Sequence, residues 1–193
     1  MSAPDLPSTP HLILGGAKSG KSKWAEELIT AFPPPYIYVA TAQALDEEMK
    51  ERIRIHRERR SSFWETLECP IRLTETLGNL QGRNLPVLVD CLTLWLSNLL
   101  LRFSPGVVES QITELRGFIG QVDYPLILVS NEVGAGIVPD NPMARRFRDL
   151  AGTANREFAG ACASVTYVVA GLAWVLKGPN LTPPGIAGHS EKA

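Results

Sequence analysis

The sequence predicts an α/β fold in which helices cover both faces of a mostly parallel β-sheet. Three observations support this prediction. The chain has 193 residues, of which 45% are apolar, enough to bury one sizeable core. Short, continuously apolar runs alternate with longer amphipathic runs, as expected for strands that are buried on both faces. No internal repeat or linker interrupts this alternation.

The first half of the chain opens with a strand, a turn and a helix. Residues 11–14 form a short apolar run that leads into a glycine-rich turn, and residues 22–31 then have a helical pattern. Residues 36–40 are β-branched and aromatic, which predicts a strand. Residues 45–60 carry charges at helical spacing, so we predict a second helix there.

The middle of the chain repeats this alternation. Residues 86–90 form an apolar strand that ends in an acid. Residues 92–102 and 109–121 have helical patterns, and residues 126–130 are again an apolar strand. Ligands of a parallel sheet bind beyond the carboxyl ends of its strands, so we look for functional residues at that edge.

The last part of the predicted domain is a long helix followed by one or two strands. Residues 142–163 have the charge density and length of a helix, residues 165–169 form a strand, and residues 173–177 are a candidate for another. We therefore predict one domain over residues 11–178. Its polar, proline-rich flanks, 1–10 and 179–193, are predicted to be flexible.

The charge balance argues against a general affinity for polyanions. Nineteen basic and twenty acidic side chains leave a net charge of −1, which attracts neither nucleic acid nor an anionic membrane surface. Any recognition of phosphate must therefore be local.

Cysteine usage and hydropathy predict a cytoplasmic protein. Cys69, Cys91 and Cys162 are scattered and odd in number, which suits a reducing compartment better than a disulfide framework. The first ten residues do not resemble a signal peptide. The longest apolar run, residues 165–176, is too short to span a bilayer, which takes about 20 residues.

A phosphate-binding loop follows the first predicted strand. The pattern G-x-x-x-x-G-K-[ST] is formed by Gly15, Gly16, Ala17, Lys18, Ser19, Gly20, Lys21 and Ser22. Its glycines let the backbone approach an anion, Lys21 would neutralise the β- and γ-phosphates, and Ser22 would ligate Mg²⁺. A glycine-rich turn can match by chance, but the strand before it and the helix after it favour nucleotide binding.

Asp90 is the candidate acid on the Mg²⁺ side of the nucleotide. It ends the apolar strand over residues 86–90, where it would hold the metal directly or through water. Its position also suits a cap on the following helix, and the two interpretations are compatible.

A histidine lies among arginines in the predicted helix over residues 45–60. At helical spacing, Arg52, His56, Arg59 and Arg60 share one face. A phosphate chain would relieve the crowding of positive charge, and the arginines would favour the neutral, nucleophilic imidazole. From the spacing alone, a solvated basic helix with an incidental histidine is the simpler interpretation.

The phosphate loop, the acid-ended strand and the histidine segment occur together with further motifs in a fixed order along the chain. The order is GGAKSGKS at 15–22, YVATA at 38–42, RIxxHR at 52–57, WxTxE at 64–68, VDCLT at 89–93, NEVGxGIVP at 131–139, RFRDLAG at 146–152 and Asn155. The phosphate loop alone is generic, whereas the histidine and NEVG segments together are specific. From about residue 12 to residue 177, the chain resembles the bifunctional adenosylcobinamide kinase / adenosylcobinamide-phosphate guanylyltransferases of cobalamin biosynthesis.

The resemblance implies a RecA-like P-loop fold, a homotrimer and two reactions. ATP or GTP would phosphorylate the aminopropanol hydroxyl of adenosylcobinamide. GTP would then guanylylate the enzyme, and GMP would pass to adenosylcobinamide phosphate. The family's guanylylated histidine falls on His56. Loop 131–139 would face the corrinoid, or it is a glycine-rich connection that only positions the next helix. Its nucleotide contacts fall on residues 15–22 and on Ala40, Thr41, Ala42, Arg57, Glu58, Arg59, Arg60, Glu68 and Asp90.

Two features depart from the family pattern. Lys18 stands where the family often has arginine, and the arm before His11 is longer than usual.

Two alternative functions are also compatible with the sequence. A plain small-molecule P-loop kinase would use His56 only to bind phosphate. A nucleotide-gated assembly or DNA-binding module is the non-enzymatic alternative, and the near-zero net charge argues against DNA.

Overall fold

The computed structural model of the chain contains a seven-stranded sheet with helices on both faces, which confirms the predicted fold class. Residues 6–43, 47, 51, 54 and 61–179 are described. The strands are β1 (His11–Gly15), β2 (Tyr36–Ala40), β3 (Trp64–Glu68), β4 (Val87–Asp90), β5 (Leu126–Asn131), β6 (Ser164–Val169) and β7 (Leu172–Lys177). The helices are α1 (Lys21–Ile29), α2 (Leu73–Gly78), α3 (Leu92–Arg102), α4 (Pro105–Ile119) and α5 (Pro142–Ala161).

The strand order places β5 between the strand before the phosphate loop and the strand that ends in Asp90. The order is β3-β2-β4-β5-β1-β6-β7, with every neighbouring pair parallel except the antiparallel pair β6 and β7. The carboxyl ends of β1 to β6 therefore meet at one edge of the sheet. This edge carries the predicted nucleotide-binding residues that the structure describes.

The core has two layers, one on each face of the sheet. On one face, α1 packs through Trp24 and Leu28 against Ile13, Leu88 and Val129. On the other face, α2, α3, α4 and α5 cover the alternate strand residues, which include Leu12, Val89 and Leu128. Because neighbouring residues of a strand point to opposite faces, this division shows which face each strand residue points to.

Some element boundaries differ from those predicted from the sequence. Helix α4 begins at Pro105, four residues before the predicted start, because Ser104 precedes it and proline is tolerated at the first helical position. Strand β3 and the short helix α2 were not predicted as elements. Of the predicted helix over residues 45–60, only Glu47, Glu51 and Arg54 are described, and all three are helical.

The residues just before β1 are hydrogen-bonded to the chain at the amino end of β6, opposite the carboxyl edge of the parallel strands. Pro7 is buried, and the Pro10 carbonyl accepts hydrogen bonds from Ala163 and Ser164 at 2.9 and 3.2 Å. Among the described residues, no helix combines the length and the apolar character needed to cross a bilayer.

His11 is a buried histidine at the start of β1. Its side chain is 1% exposed, and its Nε2 lies 2.8 Å from the Thr166 hydroxyl. Among the described residues, Nδ1 has no hydrogen-bond partner. Burial lowers the pKa of His11 to about 4, because a charged ring would lose its hydration there.

We expect the protein to lose stability as the pH falls from about 6.5 to about 4. In that range the unfolded chain binds a proton at His11 and the folded chain does not, so protonation favours unfolding. The difference in pKa predicts a contribution of roughly 3 kcal/mol by pH 4. Urea unfolding of the wild type and His11→Gln at pH 7, 5 and 4 measures it. Equal pH dependence in the two proteins would contradict this assignment.

Candidate nucleotide-binding site

The backbone between β1 and α1 forms an open anion-binding turn. Gly20, which precedes α1, has φ 95° in the left-handed region that favours glycine, and Lys18 has φ 57°. Gly20 is the N-cap residue of α1, and it has no side chain that could cap the helix. Among the described residues, no side chain accepts from the first N–H groups of α1, so these groups are available to a phosphate, as at other helix N-termini that bind anions.

Lys21 folds back over this turn. Its side chain is 8% exposed, and its Nζ donates to the Gly16 carbonyl at 3.1 Å. Burial lowers the pKa of Lys21, and the nearby Asp90 carboxylate partly opposes that shift. The loop lysine and the strand acid are thus near enough to interact electrostatically at the carboxyl edge of the sheet.

The first glycine of the loop is needed for packing. A Cβ on Gly15 would lie 2.4 Å from the Val168 carbonyl oxygen and 2.6 Å from the Ser19 hydroxyl. The first of these atoms belongs to the backbone of β6, so it cannot move without shifting the strand. A Cβ on Gly16 would meet nothing within 4 Å.

Gly15→Ala and Gly16→Ala are a matched pair that tests this packing. We expect Gly15→Ala to destabilise the nucleotide-free protein by about 2 kcal/mol, because overpacking forces backbone shifts. Gly16→Ala should change the free energy of unfolding by less than about 0.5 kcal/mol. Denaturant unfolding measures the free energy of unfolding of both variants. An equal loss of stability in the two would show that the β6 backbone does not restrict the space at Gly15.

The hairpin between β6 and β7 supports the loop from the side. The Gly171 N–H donates to the Ser19 carbonyl at 2.8 Å, and a Cβ on Gly20 would lie 3.3 Å from the Gly171 Cα. Ala170 and Gly171 both have positive φ, which makes the tight turn possible. This support was missed by sequence reasoning, and the only local signal was the Ala-Gly pair between two apolar runs.

Asp90 points to the same face of the sheet as α1. It follows Leu88 by two residues on β4, and Leu88 packs against α1. The interpretation of Asp90 as a helix cap is wrong, because Cys91 occupies the N-cap position of α3 and, in the part of the chain that the structure describes, no side chain caps that helix. The Asp90 carboxylate therefore remains available to a ligand.

The predicted contacts at residues 40–42 lie beside Asp90. Ala40 pairs with Asp90 on one side and with Glu68 on the other. Thr41 is fully buried, and its hydroxyl donates to the Cys91 carbonyl at 2.7 Å and accepts from the Cys91 N–H at 2.9 Å. Thr41 thus fixes the chain after Asp90, while Ala40 and Ala42 are half-buried beside it.

The described site residues form a row along the carboxyl edge. From the phosphate loop after β1, the row passes β5 and β4 with Asp90, then β2 with Ala40, and ends at Glu68 on β3. The row crosses four gaps between neighbouring strands, so it is roughly 19 Å long. His56, Arg57, Glu58, Arg59 and Arg60 lie outside the described residues.

A buried polar network that sequence reasoning did not identify lies at the end of β5. The Ser130 hydroxyl donates to the Asn155 Oδ1 at 2.7 Å and lies 3.2 Å from the Thr93 hydroxyl. The Asn131 N–H donates to the Thr93 Oγ1 at 2.6 Å, and the Asn155 Nδ2 donates to the Asn131 carbonyl at 3.1 Å. The network joins α3, β5 and α5 next to the phosphate loop.

Loop 131–139 leaves the sheet next to this network. The Glu132 N–H donates to the Gly15 carbonyl at 3.0 Å, which extends the pairing of β5 with β1. The Glu132 carboxylate accepts from the Gly134 N–H at 2.5 Å, so the side chain folds back on its own loop. Ile137 is 97% exposed, so the tip of the loop presents an apolar side chain to solvent.

The fold is a RecA-like P-loop fold, because the phosphate loop follows β1 and because β5 separates β1 from β4, the strand that ends in Asp90. A solved protein of Pyrococcus horikoshii OT3 has a similar fold, with a TM-score of 0.52 and 10% sequence identity. The similarity covers 88% of this chain and 86% of that one.

Sequence comparison is more specific than the fold. The chain is 46% identical to the bifunctional adenosylcobalamin biosynthesis protein CobP of Pseudomonas aeruginosa, covering 88% of this chain and 98% of CobP. It is 36% identical to the bifunctional adenosylcobalamin biosynthesis protein CobU of Salmonella typhimurium, covering 86% of this chain and 98% of CobU. Residues 11–176 match the family described as cobinamide kinase / cobinamide phosphate guanyltransferase. The chain therefore belongs to the cobinamide kinase / cobinamide phosphate guanyltransferase family.

Proposed function

We propose that this protein carries out two successive steps of cobalamin biosynthesis. It phosphorylates adenosylcobinamide with ATP or GTP, and it then transfers GMP from GTP to adenosylcobinamide phosphate through a guanylylated His56. The family match over residues 11–176 supports both activities. The observation that carries the proposal is the start of α1 without a side-chain cap and with Lys21 folded over the turn, an arrangement that would suit a triphosphate.

The loop residues and Asp90 have the donors that a magnesium-bound triphosphate needs. The N–H groups at the start of α1 and the Lys21 ammonium would bind the phosphate oxygens. The Ser22 hydroxyl and the Asp90 carboxylate are hard oxygen ligands that fit Mg²⁺, whose charge would neutralise the phosphates. Among the described residues, no group of three or more His, Cys, Asp or Glu side chains could hold a metal. Beside Ser22 and Asp90, water and phosphate oxygens would complete the coordination of Mg²⁺.

The nucleoside would extend along the row toward β3. The row is roughly 19 Å long, which gives an extended nucleotide room to reach from the loop past Asp90 and Ala40 toward Glu68. We place Thr41 and Ala42 along the same path. Arg57, Glu58, Arg59 and Arg60 would add contacts from the segment that carries His56.

His56 would act as the nucleophile of the second reaction. Its neutral imidazole attacks the α-phosphorus of GTP, a P–N bond forms, and the bond to the departing pyrophosphate breaks. A phosphate oxygen of adenosylcobinamide phosphate then attacks the same phosphorus and displaces the imidazole. The attacking oxygen is already an anion, so this step needs no strong general base.

The first reaction presents a different phosphorus atom to the substrate. Adenosylcobinamide offers a hydroxyl, which takes the γ-phosphoryl group and releases a nucleoside diphosphate. Because the two reactions use the α- and γ-phosphorus, the nucleotide must rebind or the His56 segment must move between them. Loop 131–139, with its exposed Ile137, is our candidate for contacts to the corrinoid.

Product analysis tests the proposal. The protein is incubated with adenosylcobinamide, ATP, GTP and Mg²⁺, and the corrinoids are identified by mass spectrometry. The proposal predicts adenosylcobinamide phosphate first and adenosylcobinamide-GDP later. Accumulation of adenosylcobinamide phosphate alone would support the plain P-loop kinase. Turnover of neither substrate would refute both the two-step enzyme and the plain kinase.

We further propose that the protein is a cytoplasmic homotrimer. Its three cysteines are free and buried, as suits a reducing compartment. The outermost strand of the described sheet, β7, exposes Leu172, Trp174 and Leu176 on one face, and Val169 pairs with Leu172 there. Exposed apolar patches of this kind mark interfaces, and a second copy of the chain is the occupant that the family resemblance implies.

We expect Trp174→Lys to dissociate the assembly. Trp174 is 66% exposed on this face. Leu101 lies on α3 and is similarly exposed, at 63%, so Leu101→Lys serves as the control. Light scattering after size-exclusion chromatography should give a trimer mass for the wild type and Leu101→Lys, and a monomer mass for Trp174→Lys. A monomeric wild type, or a trimeric Trp174→Lys, would contradict the assignment.

A further inference from the structure

Asn131 ends the strand that lies between the two halves of the phosphate site. Strand β5 pairs with β1 on one side and β4 on the other, and Asn131 is aligned with Gly15, the first residue of the phosphate loop. Asp90 is aligned with Val129, two residues earlier on the same strand. The end of β5 therefore lies between the loop and the acid.

The side chain of Asn131 points to the α1 face of the sheet. Ile127 and Val129, which precede it by four and two residues, pack on that face. Ser130 points the opposite way, where its hydroxyl bonds to Asn155. By the alternation of a strand, Asn131 shares the face of α1 with Asp90 and Lys21.

The backbone of Asn131 is held on both sides. Its N–H donates to the Thr93 Oγ1 at 2.6 Å, and its carbonyl accepts from the Asn155 Nδ2 at 3.1 Å. Thr93 and Asn155 are buried, so these bonds lie away from water and hold the strand end firmly. Within the part of the chain that the structure describes, the Asn131 amide itself makes no hydrogen bond.

We propose that the Asn131 amide donates a hydrogen bond to the terminal phosphate of the nucleoside triphosphate, an inference that rests on the nucleotide site proposed above. The loop backbone and Lys21 surround the phosphates from the β1 side, and Asn131 approaches from β5. A neutral amide donates to a phosphate oxygen without bringing a charge of its own. Asn131 would thereby distinguish a triphosphate from a diphosphate and orient the group that the kinase step transfers.

Calorimetric binding to the full-length protein with Mg²⁺ tests this contact. The probes are GDP and the non-hydrolysable triphosphate guanosine 5′-(βγ-imido)triphosphate. We expect Asn131→Ala to weaken triphosphate binding about tenfold and to leave GDP binding unchanged, since the lost bond is to a charged group. The nearly isosteric Asn131→Asp should weaken triphosphate binding further, because its carboxylate repels the phosphate.

Asn79→Ala serves as the matched control, because Asn79 is exposed at the end of α2 and belongs to no part of the proposed site. Its ratio of triphosphate to GDP affinity should equal that of the wild type. An unchanged ratio in both Asn131 variants, or equal loss of both ligands, would overturn the inference. A wild type that binds neither probe would instead refute the nucleotide site itself, and Asn131→Asp keeps the test valid if the alanine variant unfolds.

Discussion

His56→Ala is expected to abolish covalent labelling of the protein by GTP that carries ³²P at the α-phosphate. Without the imidazole no P–N bond can form, and the loss should be at least about 10³-fold, as for other removed nucleophiles. The γ-phosphoryl transfer to adenosylcobinamide does not pass through His56, so it should remain measurable in the same preparation. Retained phosphorylation would also show that the variant is folded.

His189→Ala is the matched control for this experiment. His189 lies in the predicted C-terminal tail, far along the sequence from the phosphate loop, and we assign it no function. Its variant should be labelled like the wild type. If His56→Ala is still labelled, another residue is the nucleophile. If no protein is labelled while phosphorylation proceeds, the plain kinase is favoured.

Lys21→Met should impair both reactions. Methionine keeps most of the length of the buried stem but removes the ammonium that would stabilise charge on the phosphates. We expect turnover in phosphorylation and in guanylylation to fall roughly 10²- to 10³-fold. Steady-state kinetics with each substrate measures the two losses separately.

Lys23→Met separates this effect from a general loss of positive charge near the loop. The Lys23 side chain is 82% exposed and pairs with Glu27 at 3.6 Å on the surface of α1, an arrangement that contributes little. Its activity should stay within about twofold of the wild type. A Lys21→Met enzyme with similar activity would show that the loop lysine does not contact the reacting phosphates.

Local sequence patterns were sufficient to predict the fold class and the phosphate loop. The apolar run before Gly15, the glycines and the following helix all lie within about twenty residues, so neighbouring residues specify them together. The predicted helix over residues 92–102 agrees with α3 at both ends. The position of Asp90 at the end of β4 was also predicted, because an acid at the end of an apolar strand is visible in the sequence.

Features that depend on distant parts of the chain were not predicted. The contact of Gly171 with Ser19 joins residues about 150 positions apart, and nothing near either residue indicates it. The hydrogen bonds of Asn155 to the end of β5 likewise require knowledge of how α5 packs. Strand β3 is half-exposed at the sheet edge, so it lacks the continuous apolar run that marked the central strands.

The account depends most on the bond between His56 and GMP, and peptide mass spectrometry tests it directly. Protein incubated with GTP and Mg²⁺ is digested under alkaline conditions, with and without a prior chase of adenosylcobinamide phosphate. We predict one GMP on the peptide that contains His56, lost in the chase as adenosylcobinamide-GDP appears. A GMP adduct on another residue, or an adduct on His56 that the chase does not remove, would contradict the proposed mechanism.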